Sequence, residues 1–104
     1  MFRCNITVRF LFLDAGYKLL STNKSCSEDG MISLGDVDEC KKALNVLGID
    51  EDQWKMEEGK METGYPKGCY QYISSKDMFQ EHVYFNSNPN GSKHKDAKPI
   101  CRNG

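Results

Sequence analysis

The sequence predicts an α+β domain, one helix packed on a small antiparallel sheet and stabilised by disulfides. Three observations carry that prediction. Residues 37–47 repeat apolar side chains at helical spacing, residues 68–86 alternate them with period two, and five cysteines are spread over 104 residues. Hydrophobic residues make up 38% and charged residues 28%, too apolar for a disordered tail but thin for a large core. A domain of this size buries only about two-thirds of its unfolded surface, so a lean core benefits from crosslinks.

Residues 1–15 read as an N-terminal extension or edge strand, and 16–102 as a single cysteine-rich module. Ile6, Val8, Phe10 and Phe12 alternate with Thr7, Arg9 and Leu11, a strand pattern. The apolar run Phe10–Leu13 is shorter than a secretory leader's core, and Arg9 interrupts any longer one. Either a leader has been removed ahead of Met1 or the chain is a piece of a longer one. Asp14-Ala15-Gly16 is a turn and Tyr17–Leu20 a short strand. Ser21–Gly30 is polar and loop-like, with Cys26 inside it.

Asp36 is a helix N-cap with Glu39 three residues on, the spacing of a capping box. Val37, Cys40, Leu44 and Leu47 then form one apolar stripe, and Gly48 is the stop. The expected helix is Asp36–Leu47, with Cys40 on its buried side. Ile49–Tyr65 is acidic, and a short helical turn is expected over Asp52–Met56. Gly68–Ile73 and His82–Asn86 read as strands. Ser74–Glu81 is a loop between them, longer than a tight hairpin turn. Asn86–Lys98 is polar, and Pro99-Ile100-Cys101 returns a last strand to the sheet.

Net charge is -1 and the isoelectric point near 6.1, against the basic excess of a nucleic-acid binder. No apolar run approaches the roughly 20 residues that span a bilayer. No two cysteines form a C-x-x-C pair, so zinc and redox sites lack their short chelating or exchanging unit. Asp50-Glu51-Asp52 and Glu57-Glu58 lack the ligand order of a calcium loop. His82 on a strand and His94 in a loop expected to be mobile do not make a Cys-His nucleophile pair. The expectation is therefore no enzyme, no cofactor and no metal.

Three glycosylation sequons are present, Asn5-Ile6-Thr7, Asn23-Lys24-Ser25 and Asn90-Gly91-Ser92. The chain's seven Asn and eleven Ser plus Thr would supply fewer than one by chance. Together with widely spaced cysteines they point to a secreted or extracellular setting. Strand alternation puts Tyr70 and Tyr72 on the opposite face from Cys69 and Gln71. Tyr70, Tyr72 and Tyr84 are the candidate ligand contacts, alongside core-filling as the plainer role for most aromatics. Residues 34–62 carry nine acids and four bases, while 86–104 carry four bases and one acid. Lys93 and Lys95 are the candidate contacts for an anionic partner such as a sulfated glycan, the alternative being two solvated faces.

The order Cys40-x-x-Ala43-x-x-x-Leu47-Gly48, Tyr65-Pro66-Lys67-Gly68-Cys69-Tyr70, Val83-Tyr84-Phe85-Asn86 and Pro99-Ile100-Cys101 resembles a small cysteine-rich extracellular module. That module, of unassigned function, occurs in proteins of marine protists and some invertebrates. The resemblance spans roughly Gly16–Arg102 and implies an extracellular or surface-exposed context. The loop at Ser74–Glu81 is longer than the module's pattern. A looser architectural likeness is to PAN/apple modules. Cys26, Cys40, Cys69 and Cys101 match the module, and four cysteines allow three connectivities. With Cys40 on the helix's buried face, the expected partners are Cys40 with Cys69 and Cys26 with Cys101. Cys4 lies outside the pattern, free or pairing between chains in a dimer. The function expected is a non-catalytic binding module for a glycan or another extracellular protein. The alternative is a structural unit of a coat, matrix or adhesive protein with no dedicated ligand.

Overall fold

The computed structural model describes residues 16–49, 54–60, 62–73 and 81–104, with 54–60 and Glu81 described as backbone only. Cys4, Asn5 and the expected strand over 6–12 lie outside the described residues, as does the Ser74–Glu81 loop apart from Glu81. Among the described residues there are six strands and one α-helix: β1 Tyr17–Leu19, a 3-10 turn Cys26–Asp29, β2 Met31–Ser33, α1 Val37–Val46, β3 Trp54–Lys60, β4 Gly68–Tyr72, β5 Glu81–Asn86 and β6 Ala97–Asn103. They build one sheet in the order β1-β6-β4-β5-β3, with β2 also on β6. All pairs are antiparallel except β3 with β5, which is parallel.

The last strand is longer than expected and lies inside the sheet. Arg102 pairs with Tyr17 on one edge and Ile32 on the other, so β1 and β2 flank its second half. Its first half runs beside β4, with Tyr70 opposite Pro99. Pro99 sits in an interior strand because its carbonyl, and the slot of its missing N–H, face the β1 side. The carbonyl accepts the Leu20 N–H at 2.9 Å. A ladder continued past Leu19 would need a donor that proline lacks, and β1 stops there.

Asp36 caps α1, its Oδ1 accepting the Glu39 N–H at 2.7 Å. The reciprocal half of the capping box is redirected. Glu39 Oε1 accepts from the Gly35 N–H at 3.0 Å, and Oε2 lies 3.3 Å from Arg102 Nε on β6. At the other end Ile49 N–H donates to Leu44 O at 2.8 Å and Gly48 N–H to Asn45 O at 3.2 Å. That pair of bonds is a Schellman motif. Ile49 packs on the core that contains Leu44, the hydrophobic contact that accompanies such a stop.

Cys40, Ala43 and Leu44 of α1 meet Cys69, Val83, Phe85 and Ile100 of the sheet, with Leu34 closing the cluster. The structure joins Cys40 to Cys69 and Cys26 to Cys101. The first bond ties the helix to β4, and the second ties the 3-10 turn to the interior strand β6. Leu20, Cys26 and Cys101 form a smaller second cluster with Met31 against it.

One element departs from expectation. Of the helical turn expected over Asp52–Met56, residues 54–56 instead belong to a strand running from Trp54 to Lys60, and residues 52–53 lie outside the described residues. Trp54 and Met56 alternate with Lys55 and Glu57, and pairing with β5 satisfies this backbone through a register set by Trp54 against Glu81 and Met56 against Val83. Gly59 further disfavours a helix through this stretch.

Candidate functional site

The sheet face away from α1 carries aromatic rings. Even-numbered residues of β4 and β5 point there, so Tyr70 lies opposite Tyr84 and Tyr72 opposite His82. Loop residues Tyr65 and His94 complete the set. His94, Tyr65, Tyr70, Tyr84 and His82 form one bent row, successive centroids 4.6, 5.8, 5.5 and 5.9 Å apart and successive planes inclined by 11° to 30°. Tyr72 meets Tyr65 and Tyr84 edge-on, at 6.0 and 6.2 Å. Such pairs contribute about 0.5–1.5 kcal/mol each beyond their buried area.

Tyr70 stands at 0% exposure in the middle of the row, which corrects its assignment as a ligand contact. Its ring is buried between those of Tyr65 and Tyr84 and packs against both. Burial pushes its phenol up from the ordinary value, the neighbouring tyrosines and Glu62 adding to the effect. Among the described residues its hydroxyl has no hydrogen-bond partner, nor has His82 Nδ1. Tyr72 and Tyr84 are half-buried and reach the surface, as do Tyr65, His82 and His94.

The loops holding Tyr65 and His94 are fastened by a residue that sequence reasoning did not single out. Asn86, at 0% exposure, follows His82 and Tyr84 on the same face of β5. Its Nδ2 donates to the carbonyls of Glu62 (2.7 Å), Tyr65 (3.1 Å) and Pro66 (3.2 Å), and its Oδ1 accepts from the N–H groups of Glu62 (3.0 Å) and Asn88 (3.2 Å). The period-two pattern running on from Tyr84 was the signal available for it. Gly91 lies against the same loop, where a Cβ would come within 2.6 Å of both Tyr65 O and Lys67 N. Ser92 ties the loops again, its N–H donating to Tyr65 O at 2.8 Å and its Oγ to Thr63 O at 2.6 Å.

The loop carrying Lys93, His94 and Lys95 is therefore anchored, contrary to the expected mobility. The Asn23 N–H donates to His94 O at 3.0 Å, and His94 Nδ1 accepts from the Asp96 N–H at 3.0 Å. Lys93 Nζ lies 3.6 Å from Glu28 Oε2, so its charge is already matched by a carboxylate. Lys95 is exposed. Glu28 in turn accepts the Ser25 N–H at 2.8 Å, which chiefly holds its carboxyl below the ordinary value of 4.5, with Lys93 adding to the effect. The site thus brings Tyr72 and Tyr84 together beside the buried Tyr70, and both Lys93 and Lys95 of the basic loop are exposed, Lys93 beside Glu28.

Asn23 is exposed in the left-handed region at φ 61°, and Asn90 is exposed in a turn. Among the described residues no group of three His, Cys, Asp or Glu could hold a metal ion. No helix among them is long and apolar enough to cross a membrane. No family model matches the chain, and comparisons with curated proteins and with solved structures gave no significant match.

Proposed function

We propose that this protein is a secreted or surface-exposed, non-catalytic binding module that uses the aromatic sheet face. The observation that carries the reading is the ordered ring row on the face away from α1, crossed by Tyr72. Asn86, Gly91 and Ser92 hold the surrounding loops rigidly, so little conformational entropy is lost when a partner docks. Tyr65, Tyr72 and Tyr84 each reach the surface on this face half-buried, offering ring and hydroxyl together to a partner. That favours a protein partner over a glycan, since tyrosine is prominent among interface residues that dominate binding energy. Two disulfides and three sequons support the extracellular setting.

The test probes arrays of extracellular proteins and of glycans with the oxidised protein, then repeats any hit with Tyr72→Ala and Lys95→Glu. Loss of at least tenfold in affinity for Tyr72→Ala, with an unchanged thermal midpoint, is the expected result. A hit abolished only by Lys95→Glu would move the site to the basic loop. No hit on either array would favour a structural unit of a coat or matrix.

A further inference from the structure

A cleft of about 370 Å³ opens on the flank of the molecule, between β2 with its preceding 3-10 turn and the loops fastened by Asn86. Its size is at the lower end of the roughly 300–1,000 Å³ range of ligand sites. Hydroxyls of Ser25, Ser27 and Ser33 alternate on its walls with the apolar surfaces of Ile32, Pro66 and Pro89. Ile32 is 41% exposed, one of two large apolar side chains so exposed among the described residues. A wall mixing hydroxyls with apolar carbon suits a pyranose, which has hydrogen-bonding hydroxyls at its rim and C–H groups on its faces.

Gly91 and Ser92 of the sequon Asn90-Gly91-Ser92 form part of this wall. Pro89, Gly91 and Ser92 line the cleft, and Asn90 is exposed between them. Its turn is rigid: the Asn90 N–H donates to Asn88 Oδ1 at 2.8 Å, and the Gly91 N–H to Asn88 O at 3.2 Å. Gly91 is pressed against the backbone of Tyr65 and Lys67 across the loop. Asn90 is flanked on both sides by lining residues, Pro89 and Gly91, whereas of the Asn23-Lys24-Ser25 sequon only Ser25, two residues from its asparagine, lines the cleft.

We propose that Asn90 carries an N-linked glycan whose first N-acetylglucosamine lies in this cleft and covers Ile32. Attachment replaces one N–H bond of the Asn90 carboxamide by an N–C1 bond to the sugar. The polyprenyl pyrophosphate of a lipid-linked donor leaves with the bonding electron pair, the proton passes to solvent, and nothing is oxidised or reduced. A sugar held there would shield the exposed apolar flank while leaving the aromatic face open to a partner. This rests on the extracellular reading above.

The test uses the full chain secreted from a eukaryotic host, trimmed enzymatically to one N-acetylglucosamine per occupied sequon. Peptide mass mapping reads occupancy, and methyl NMR reads contact. The expected result is occupancy at Asn90, a cross-peak between the N-acetyl methyl and Ile32, and a shifted Ile32 δ-methyl resonance in Asn90→Gln. Enzymatic removal of the sugar from the folded wild type should shift the same methyl, a check that does not depend on the variant folding. Occupancy at Asn90 with no cross-peak and no shift would overturn the docking and leave the extracellular reading standing. Secretion with Asn90 unmodified but another sequon occupied would overturn the proposal alone. All three sequons bare and every cysteine reduced would overturn both.

Discussion

Asn86 shows how one buried carboxamide can decide the shape of a surface. Its five hydrogen-bond contacts reach Glu62, Tyr65, Pro66 and Asn88, and these residues surround the end of the ring row. Asn86→Ala would strand several backbone groups in a dry site, at about 2–4 kcal/mol given the penalty of roughly 1–3 kcal/mol for each buried group left unpaired. The urea midpoint should fall accordingly, and the near-ultraviolet tyrosine signal should weaken as Tyr65 loosens. Asn86→Asp should be worse at neutral pH, because a carboxylate would face three carbonyl oxygens. Nothing in residue type marks Asn86 apart from the other asparagines. Its role comes from alternation carried past Tyr84 and from loops that tertiary packing brings within reach.

Elements were legible where their hydrogen bonds are local. The apolar stripe from Val37 to Leu47 and the Asp36 cap define α1 from neighbours three and four residues apart, and the structure forms it over Val37–Val46. β3 was not legible, because the partner that makes it a strand is β5, more than twenty residues further on. The 3-10 turn supplies a test at this scale. Glu28 has a folded pKa below its ordinary value, so its contribution to stability is present above pH 4.5 and is lost as pH falls through the folded value. Glu28→Gln should therefore lower stability at pH 6 and flatten the acid limb of the pH–stability curve, the two proteins converging as pH falls to 3. The urea midpoint measured from pH 6 to pH 3 in both proteins checks this. Equal acid slopes would mean that the Ser25 N–H and Lys93 contacts contribute nothing to stability.

At the scale of the whole molecule, two covalent ties compensate for a lean interior. Their sequence separations are 29 for Cys40–Cys69 and 75 for Cys26–Cys101. In the chain-entropy account these loops are worth about 3.5 and about 4.5 kcal/mol respectively. The paired change Cys26→Ser with Cys101→Ser should thus lower the urea midpoint more than Cys40→Ser with Cys69→Ser. A reversed order would show that fixing the helix to the sheet matters more than shortening the unfolded chain. By itself the sequence determined the α+β class, the helix and its caps, β4 and β5, and the face that the tyrosines share, because each follows from spacing within one segment. Only the tertiary structure decided that β6 runs inside the sheet, that β3 is a strand and that Tyr70 is buried instead of a ligand contact. It also decided that the basic loop is tied down, with Lys93 matched by Glu28. These depend on which distant segments lie side by side, and a segment's own period carries no record of its partner.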